Sequence, residues 1–409
     1  MTGSRLTDLN EVLPDVLWVG EFPFPTGSAG SNILQGHCAA LKAAGYSVGM
    51  LPSHELQKRL CVHDEEGSWR NVKWWNVARS THGLSISRFG PRGLLGQDPR
   101  LEWLAAHCLR GVKAIILYPG VISLAFLLRL KRICKSHGVR LFVYIVEWHK
   151  LTHYRGRWAA LQAMDSALLR RWGVRFTDGI ICISKRLDAH FKSRGHRTAL
   201  IPPLLDLEDP KWCVDTVGPS VPPRAGLRIL FSGSPKRERH DLVLDAVRLL
   251  REEGIDVSLE FLGSTRKQIL ECPRVKKGLL ETLGTAVKFH GFVSSEAVRE
   301  ITSAADYGIL LRHDESWSAS CFPSKVPELF ALRVPVIANL TSDLRDYLTD
   351  GINSIIVKSV SLADAVLAFR KAATLGAHER SNMRCLARQC ASRFDGTRFG
   401  GTYAELLSG

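Results

Sequence analysis

Ser320-Cys-Phe-Pro-Ser-Lys-Val-Pro-Glu328, continued by Leu329-Phe-Ala-Leu-Arg333 and Pro335-Val-Ile-Ala338, reads as a tight loop, a short helix and a buried strand. Pro323 stops anything helical before it, and Ser324 is of the type that caps a helix start. Pro327 falls in the first turn, where a missing N–H costs nothing. The N–H groups of Ser324, Lys325 and Val326, the helix dipole and the Lys325 ammonium are expected to make an anion site. Glu328 lies four residues beyond Ser324 and projects on the same side. A carboxylate one turn from a phosphate-binding helix start is placed to accept ribose hydroxyls, which suits a nucleotide diphosphate.

The same alternation of apolar run and helix extends through the chain. In the first half, Val16–Val19, Tyr46–Leu51, Ala114–Tyr118, Leu141–Val146 and Gly179–Ile183 read as strands, with a helix from Ser31 to Gly45. In the second half, strands are expected at 227–231, 258–262, 287–289, 307–311, 335–338 and 354–357, and Asp241 as the cap of a helix ending at Gly254. Continuous apolar runs separated by helices indicate parallel sheets covered on both faces. Six of the chain's 18 prolines lie between Pro202 and Pro223, where apolar periodicity lapses. The reading is therefore α/β: a Rossmann-like domain over 1–205, a Pro-rich linker over 206–226, a second Rossmann-like domain over 227–376, and a helical segment over 377–409 crossing back towards the first domain. At 409 residues, two domains are also the default on size.

Charge divides unevenly. The net charge is +15, and residues 101–200 alone carry 18 basic against 5 acidic side chains. Such asymmetry implies that the first half faces a polyanion, either an anionic membrane surface or nucleic acid. No recognised nucleic-acid module is present, so the membrane is preferred. The longest uncharged run, Ala114 to Leu128, is too short to span a bilayer, and no signal-peptide pattern is present. Ten scattered cysteines without a paired motif read as thiols of a reducing compartment. The expected location is the cytoplasm, peripheral on the inner face of the cell membrane.

Phe322-Pro323, four residues, then Glu328, a helix and Pro335-Val-Ile-Ala338 resemble the nucleotide-sugar site of GT-B glycosyltransferases of the GT4 type. That resemblance implies two doubly wound domains facing across a cleft, with the nucleotide sugar held mainly by the second. It also implies transfer of a hexose-like unit to an acceptor hydroxyl with retention of configuration, without a metal or other cofactor. The donor would be UDP- or GDP-linked and the acceptor a glycan or lipid-linked glycan, as in polysaccharide assembly. The family pattern has two glutamates eight positions apart; this chain keeps Glu328 and carries Ser320 at the first position. It also has Arg333 where the family turns out of the helix on glycine.

Further site residues follow from the resemblance. Gly27 and Gly30 match the N-terminal glycine loop that approaches the donor diphosphate, although strand-to-helix turns also use glycine. Gly233 follows the 227–231 strand, and Lys236 and Arg237 best fit the family's basic residues there, with Arg239 as alternative. Phe292 and Val293 occupy the nucleobase region or make a plain turn. Arg312, leaving a buried strand, would stabilise the departing diphosphate or hold a donor hydroxyl, and Lys325 and Lys236 would meet the diphosphate. Ser320, Ser324, Val326 and Glu328 complete the donor set. In the first half, Glu147 is the polar candidate for catalysis; Trp148 would stack on a sugar or cap the core, and His149 would orient an acceptor. His149 and His153 have the i, i+4 spacing of a metal pair, but no third ligand follows. A non-catalytic binding or scaffold protein is the rival reading, motivated by Ser320. A nucleotide-sugar epimerase and a nicotinamide oxidoreductase rank lower, for want of paired carboxylates and of G-x-G-x-x-G.

Overall fold

The computed structural model describes residues 12–26, 28–53, 64, 66–77, 98–107, 109–118, 123–148, 159–213, 226–233, 235, 238–313, 315 and 317–408. It divides into unit 1, Met1–Asp206 with Gly396–Gly409, and unit 2, Leu207–Asp395.

Unit 1 holds β1 (Val16–Gly20), α1 (Ala29–Ala43), β2 (Val48–Leu51), β3 (Glu66–Trp69), β4 (Val72–Trp75), α2 (Pro99–Ala106) and β5 (Ala114–Tyr118). It continues through α3 (Leu124–Ser136), β6 (Arg140–Ile145), α4 (Ala159–Arg171), β7 (Gly179–Cys182), α5 (Lys185–Lys192) and β8 (Thr198–Leu200). The eight strands form one sheet in the order β3-β4-β2-β1-β5-β6-β7-β8, parallel except where β3 runs antiparallel to β4. All five residues of β1 are buried, which is why its sequence is apolar on both faces.

Helix α1 begins two residues before the expected Ser31: Ser28 is its cap, accepting from the Ser31 N–H at 3.1 Å. The chain returns to unit 1 at its end, where α13 spans Gly400–Ser408. That return needs two glycines. A Cβ on Gly36 would overlap the Leu204 backbone, and one on Gly396 would overlap the Gly36 carbonyl. Gly396 N–H donates to the Leu205 carbonyl at 2.8 Å, and Tyr403 Oη pairs with His37 Nδ1 at 2.8 Å inside the core.

Unit 2 holds β9 (Leu227–Ser232), α6 (His240–Glu252), β10 (Val257–Leu262), α7 (Arg266–Leu270), α8 (Leu279–Leu283), β11 (Val287–Gly291), α9 (Ser295–Ser303) and β12 (Tyr307–Leu310). It ends with α10 (Lys325–Ala331), β13 (Val336–Ala338), β14 (Ser354–Ile356), α11 (Leu362–Thr374) and α12 (Ala377–Ala391). Its six strands are all parallel, in the order β11-β10-β9-β12-β13-β14. The core joins Phe231 and Phe261 of the sheet to Val243 and Val247 of α6 and Phe369 of α11.

Two helix starts depart from the sequence reading. Asp241 does not cap α6; the cap position is Arg239, and Asp241 sits inside the first turn bonded to the Arg239 guanidinium at 2.8 Å. Ser324 does not cap α10 with its side chain, because its backbone is already helical (φ −59°, ψ −17°). Among the described residues no helix is long and apolar enough to cross a membrane.

Candidate functional site

In the unit 2 sheet the chain leaves β9 towards β10 on one side and later returns to β12 on the other. Where strand order reverses, the carboxyl ends of β9 and β12 feed connections that diverge and leave a crevice for a ligand.

On the β9 side the edge is made of backbone. Gly233, Gly263 and Gly291, which end three neighbouring strands, have φ of +126°, +77° and +65°. Gly233 N–H donates to the Leu262 carbonyl at 3.0 Å, and Gly263 N–H to the Gly291 carbonyl at 2.8 Å. Ser264 Oγ donates to the Gly233 carbonyl. Beyond this edge Phe292 is 81% exposed and Val293 37% exposed, so both present apolar surface rather than joining the core.

On the β12 side the edge is cationic and internally bonded. Arg239 N–H donates to the Leu311 carbonyl at 2.7 Å. Arg312 is buried, its backbone clasped by the Asn339 side chain in both directions at 2.8 and 3.1 Å. Its Nη1 donates to the Cys321 carbonyl at 3.2 Å, which ties the end of β12 to the loop ahead of α10. Its Nε is buried without a hydrogen-bond partner among the described residues. Asp241 is drawn below its ordinary pKa: burial works the other way, but the Arg239 hydrogen bonds and the charges of Arg239 and Arg274 prevail. His313 is held below its ordinary value by burial first and then by Arg274 and Arg239, and His240 by burial. Both imidazoles are therefore neutral at pH 7.

The loop ahead of α10 is held from beneath. Phe322 packs edge-on against Tyr347 and Phe394, and Ser318 Oγ bonds Thr341 Oγ1 at 2.9 Å. Ser320 is buried in a single 3-10 turn over Ser318–Ser320. On the helix itself, Lys325 Nζ lies 2.8 Å from Glu328 Oε2. The expected triad of N–H donors is reduced, since Val326 N–H is spent on the Pro323 carbonyl at 3.1 Å and its side chain is in the core. Arg333 has φ +62°, the left-handed position where the resemblance implies glycine.

In unit 1 the corresponding reversal lies between β1 and β5. Gly30 sits in the first turn of α1, where a Cβ would approach Ser28 Oγ at 3.3 Å. It is a helical residue, not part of an open loop. Glu147 is half-buried at the carboxyl end of β6. Trp148 is half-buried: the Arg170 guanidinium lies 5.5 Å from its ring centre and His190 meets it edge-on at 4.7 Å. Gly27, Lys236, Arg237, His149 and His153 lie outside the described residues.

The structure thus gathers Gly233, Arg312, Ser320, Ser324, Lys325 and Glu328 around the unit 2 reversal, with Phe292 and Val293 along the same edge. Sequence reasoning passed over Asn339 and Thr341, which position Arg312 and Ser318. The only signal for them is that two polar residues follow closely on the apolar run of β13.

Residues 226–371 match the family model described as Glycosyl transferases group 1. No curated protein sequence matches the chain. Among solved structures, HepE from Anabaena in complex with UDP and glucose superimposes with a TM-score of 0.64 at 14% identity, covering 97% of this chain and 100% of that one. Sucrose-phosphate synthase from Thermosynechococcus elongatus gives 0.65 at 15%, covering 96% and 99%. WaaG, a glycosyltransferase involved in lipopolysaccharide biosynthesis, gives 0.63 at 16%, covering 96% and 100%. The fold is that of the GT-B glycosyltransferases, and the matched segment carries the signature residues described above.

Proposed function

We propose that the chain is a glycosyltransferase of the GT4 type that moves a sugar from a nucleotide diphosphate sugar to an acceptor hydroxyl, with retention of configuration and no catalytic metal. The observation that carries this reading is the Lys325–Glu328 pair on α10, set beside the Arg312–Cys321 tie within the segment matching the glycosyl transferase family. Binding of the donor exchanges partners at that pair: Glu328 accepts the ribose hydroxyls and Lys325 turns to the phosphates. In the transfer, the acceptor oxygen bonds to the anomeric carbon as the bond to the diphosphate oxygen breaks. The acceptor proton passes to the departing phosphate. Cations placed where this charge grows lower the barrier without reorganising. Arg312 and Lys325 hold those places. Phe292 and Val293 offer an apolar platform for the base.

The acceptor is a glycan or lipid-linked glycan presented at a cytoplasmic membrane face, and Glu147 is the polar candidate of unit 1. The complexes of HepE with UDP and with UDP-glucose support UDP as the first nucleotide to try. A thermal-shift panel of UDP, GDP, ADP and their sugars tests the donor class, since a ligand at ~100 times its dissociation constant stabilises by about 2.7 kcal/mol. One nucleotide series should raise the melting temperature, and its sugar should be consumed when acceptor is present. Binding without any donor turnover would make the protein a binding subunit, and no binding of any nucleotide would remove the reading.

A further inference from the structure

Helix α4 and the turn after it are built inside out. The exposed positions from its second residue onward are Ala160, Leu161, Met164, Ala167, Leu168, Arg171, Trp172, Arg175 and Phe176, a single stripe at helical spacing. Up to Leu168 none of them is charged. Leu161 is 39%, Met164 55%, Leu168 39%, Trp172 52% and Phe176 50% exposed. The polar residues face inward instead, beside the buried Ala163 and Leu169. Gln162 and Arg170 are buried, Asp165 accepts the Leu124 N–H at the start of α3, and Ser166 accepts from Arg170. A helix folded only against its own domain has the opposite arrangement. Its seating is fixed: Gly173 packs so closely on Leu124 and Leu127 of α3 that a Cβ would overlap them.

We propose that this face docks on the surface of a membrane containing anionic lipid, with the apolar stripe entering the headgroup boundary. The charge around the stripe selects that occupant. Arg171 and Arg175 are exposed at its end, and the Arg175 guanidinium lies 5.0 Å from the Trp172 ring centre. Neighbouring α3 exposes Leu128 beside Arg129 and Arg132. A second copy of the chain meeting this face in a two-fold dimer would set arginine against arginine. An anionic bilayer neutralises the same cations while it buries the stripe, the combination that holds an amphipathic helix at an interface. Trp172 then lies at headgroup depth, where indole is favoured.

The proposal rests on the reading above only in what docking is for, delivery of the chain to a lipid-linked acceptor. The docking itself is measured without nucleotide, so failure of one leaves the other standing. Parent protein and the variants Met164→Glu/Trp172→Glu and Arg171→Glu/Arg175→Glu are sedimented with phosphatidylcholine vesicles with and without phosphatidylglycerol. The parent should bind the anionic vesicles and release them at high salt, and each double variant should lose at least tenfold in affinity. The changed residues are exposed, so circular dichroism and melting should match the parent. A second readout uses no charge reversal. The fluorescence difference between parent and Trp172→Phe should be quenched by brominated lipid. Absence of binding to anionic vesicles at low salt, equal binding by the variants, or a parent dimer dissociated by Met164→Glu would each overturn the proposal.

Discussion

The carboxyl edges of the two sheets share a topology and finish it in opposite ways. In unit 1 the end of β1 is sealed. Arg100 is buried and donates to the Gly20 carbonyl, to Glu21 at 2.8 Å and to Asp98. Phe22 meets Tyr118 edge-on at 5.9 Å, and Phe24 meets Trp69 at 5.8 Å. In unit 2 the described residues at the ends of β9 and its neighbours include the left-handed glycines Gly233, Gly263 and Gly291, and Arg312, Lys325 and Glu328 lie on the β12 side. The same reversal of strand order therefore serves cohesion in one unit, and in the other it is the place where we propose that the donor binds. Substitutions at the two edges should separate stability from function.

The largest effect on turnover is expected from Lys325→Ala. Loss of a cation that meets charge developing on the leaving group should lower kcat by about 100-fold or more, with a smaller change in KM. Steady-state kinetics with the donor identified by the thermal panel decides it. A rise in KM alone would place Lys325 in ground-state binding only. Arg100→Met should act on the other side of the comparison. It strands the Glu21 and Asp98 carboxylates and should cost unit 1 about 3–5 kcal/mol. Calorimetry should show a transition lowered by on the order of 10 °C, while nucleotide affinity is kept. An unchanged melting profile would contradict the sealed-edge account.

Next in size is an acid response of unit 1. Burial pushes His37 down to about 3 from its ordinary 6.5, so the folded chain keeps it neutral where the unfolded chain takes a proton. The unfolded state then binds more protons between those two values, and stability falls as pH falls through that window. Between pH 7 and pH 5 the loss from this group is on the order of 2 kcal/mol. Urea titrations of the parent and of His37→Leu/Tyr403→Phe should show it, with the variant losing less. Equal slopes would mean that His37 is protonated in the fold. The smallest effect belongs to Arg333→Gly, which relieves the φ of +62° and should stabilise unit 2 by about 0.5–1 kcal/mol. A destabilised variant would show that the Arg333 side chain contributes more than its backbone costs.

These residues also mark what was legible in the sequence. The six strands of unit 2 were readable because apolar residues dominate each of them, even where Arg228, Glu260 or Lys288 interrupts the run, and the position of Arg333 was readable from the turn it must make. The edge hairpin of β3 and β4 was not. Glu66–Trp69 alternates exposed and half-buried residues, and its two-residue turn uses Arg70 and Asn71 at φ +47° and +62° instead of a glycine pair. Ser324 looked like a cap because its type is right, but Pro323 supplies the carbonyl that starts the helix. Charge counting found the basic stretch of unit 1 yet could not see α4. An inverted helix has ordinary composition, and only packing reveals which of its faces is spent inside. Trp148 keeps two readings in the sequence for the same reason, since the Arg170 beside it lies over twenty residues away in sequence.

Glu328 gives the most direct test of the central claim, that the carboxyl edge of the unit 2 sheet holds a nucleotide diphosphate. Calorimetric titration of UDP and GDP into the parent and into Glu328→Gln compares a carboxylate with its neutral isostere. Charge-assisted bonds to ribose hydroxyls are each worth roughly 1.5–3 kcal/mol. The parent should bind one of the two nucleotides, and the variant should bind it about tenfold or more weakly with its melting temperature unchanged. Equal affinities for the two proteins would remove Glu328, and with it the proposed donor site, from the account.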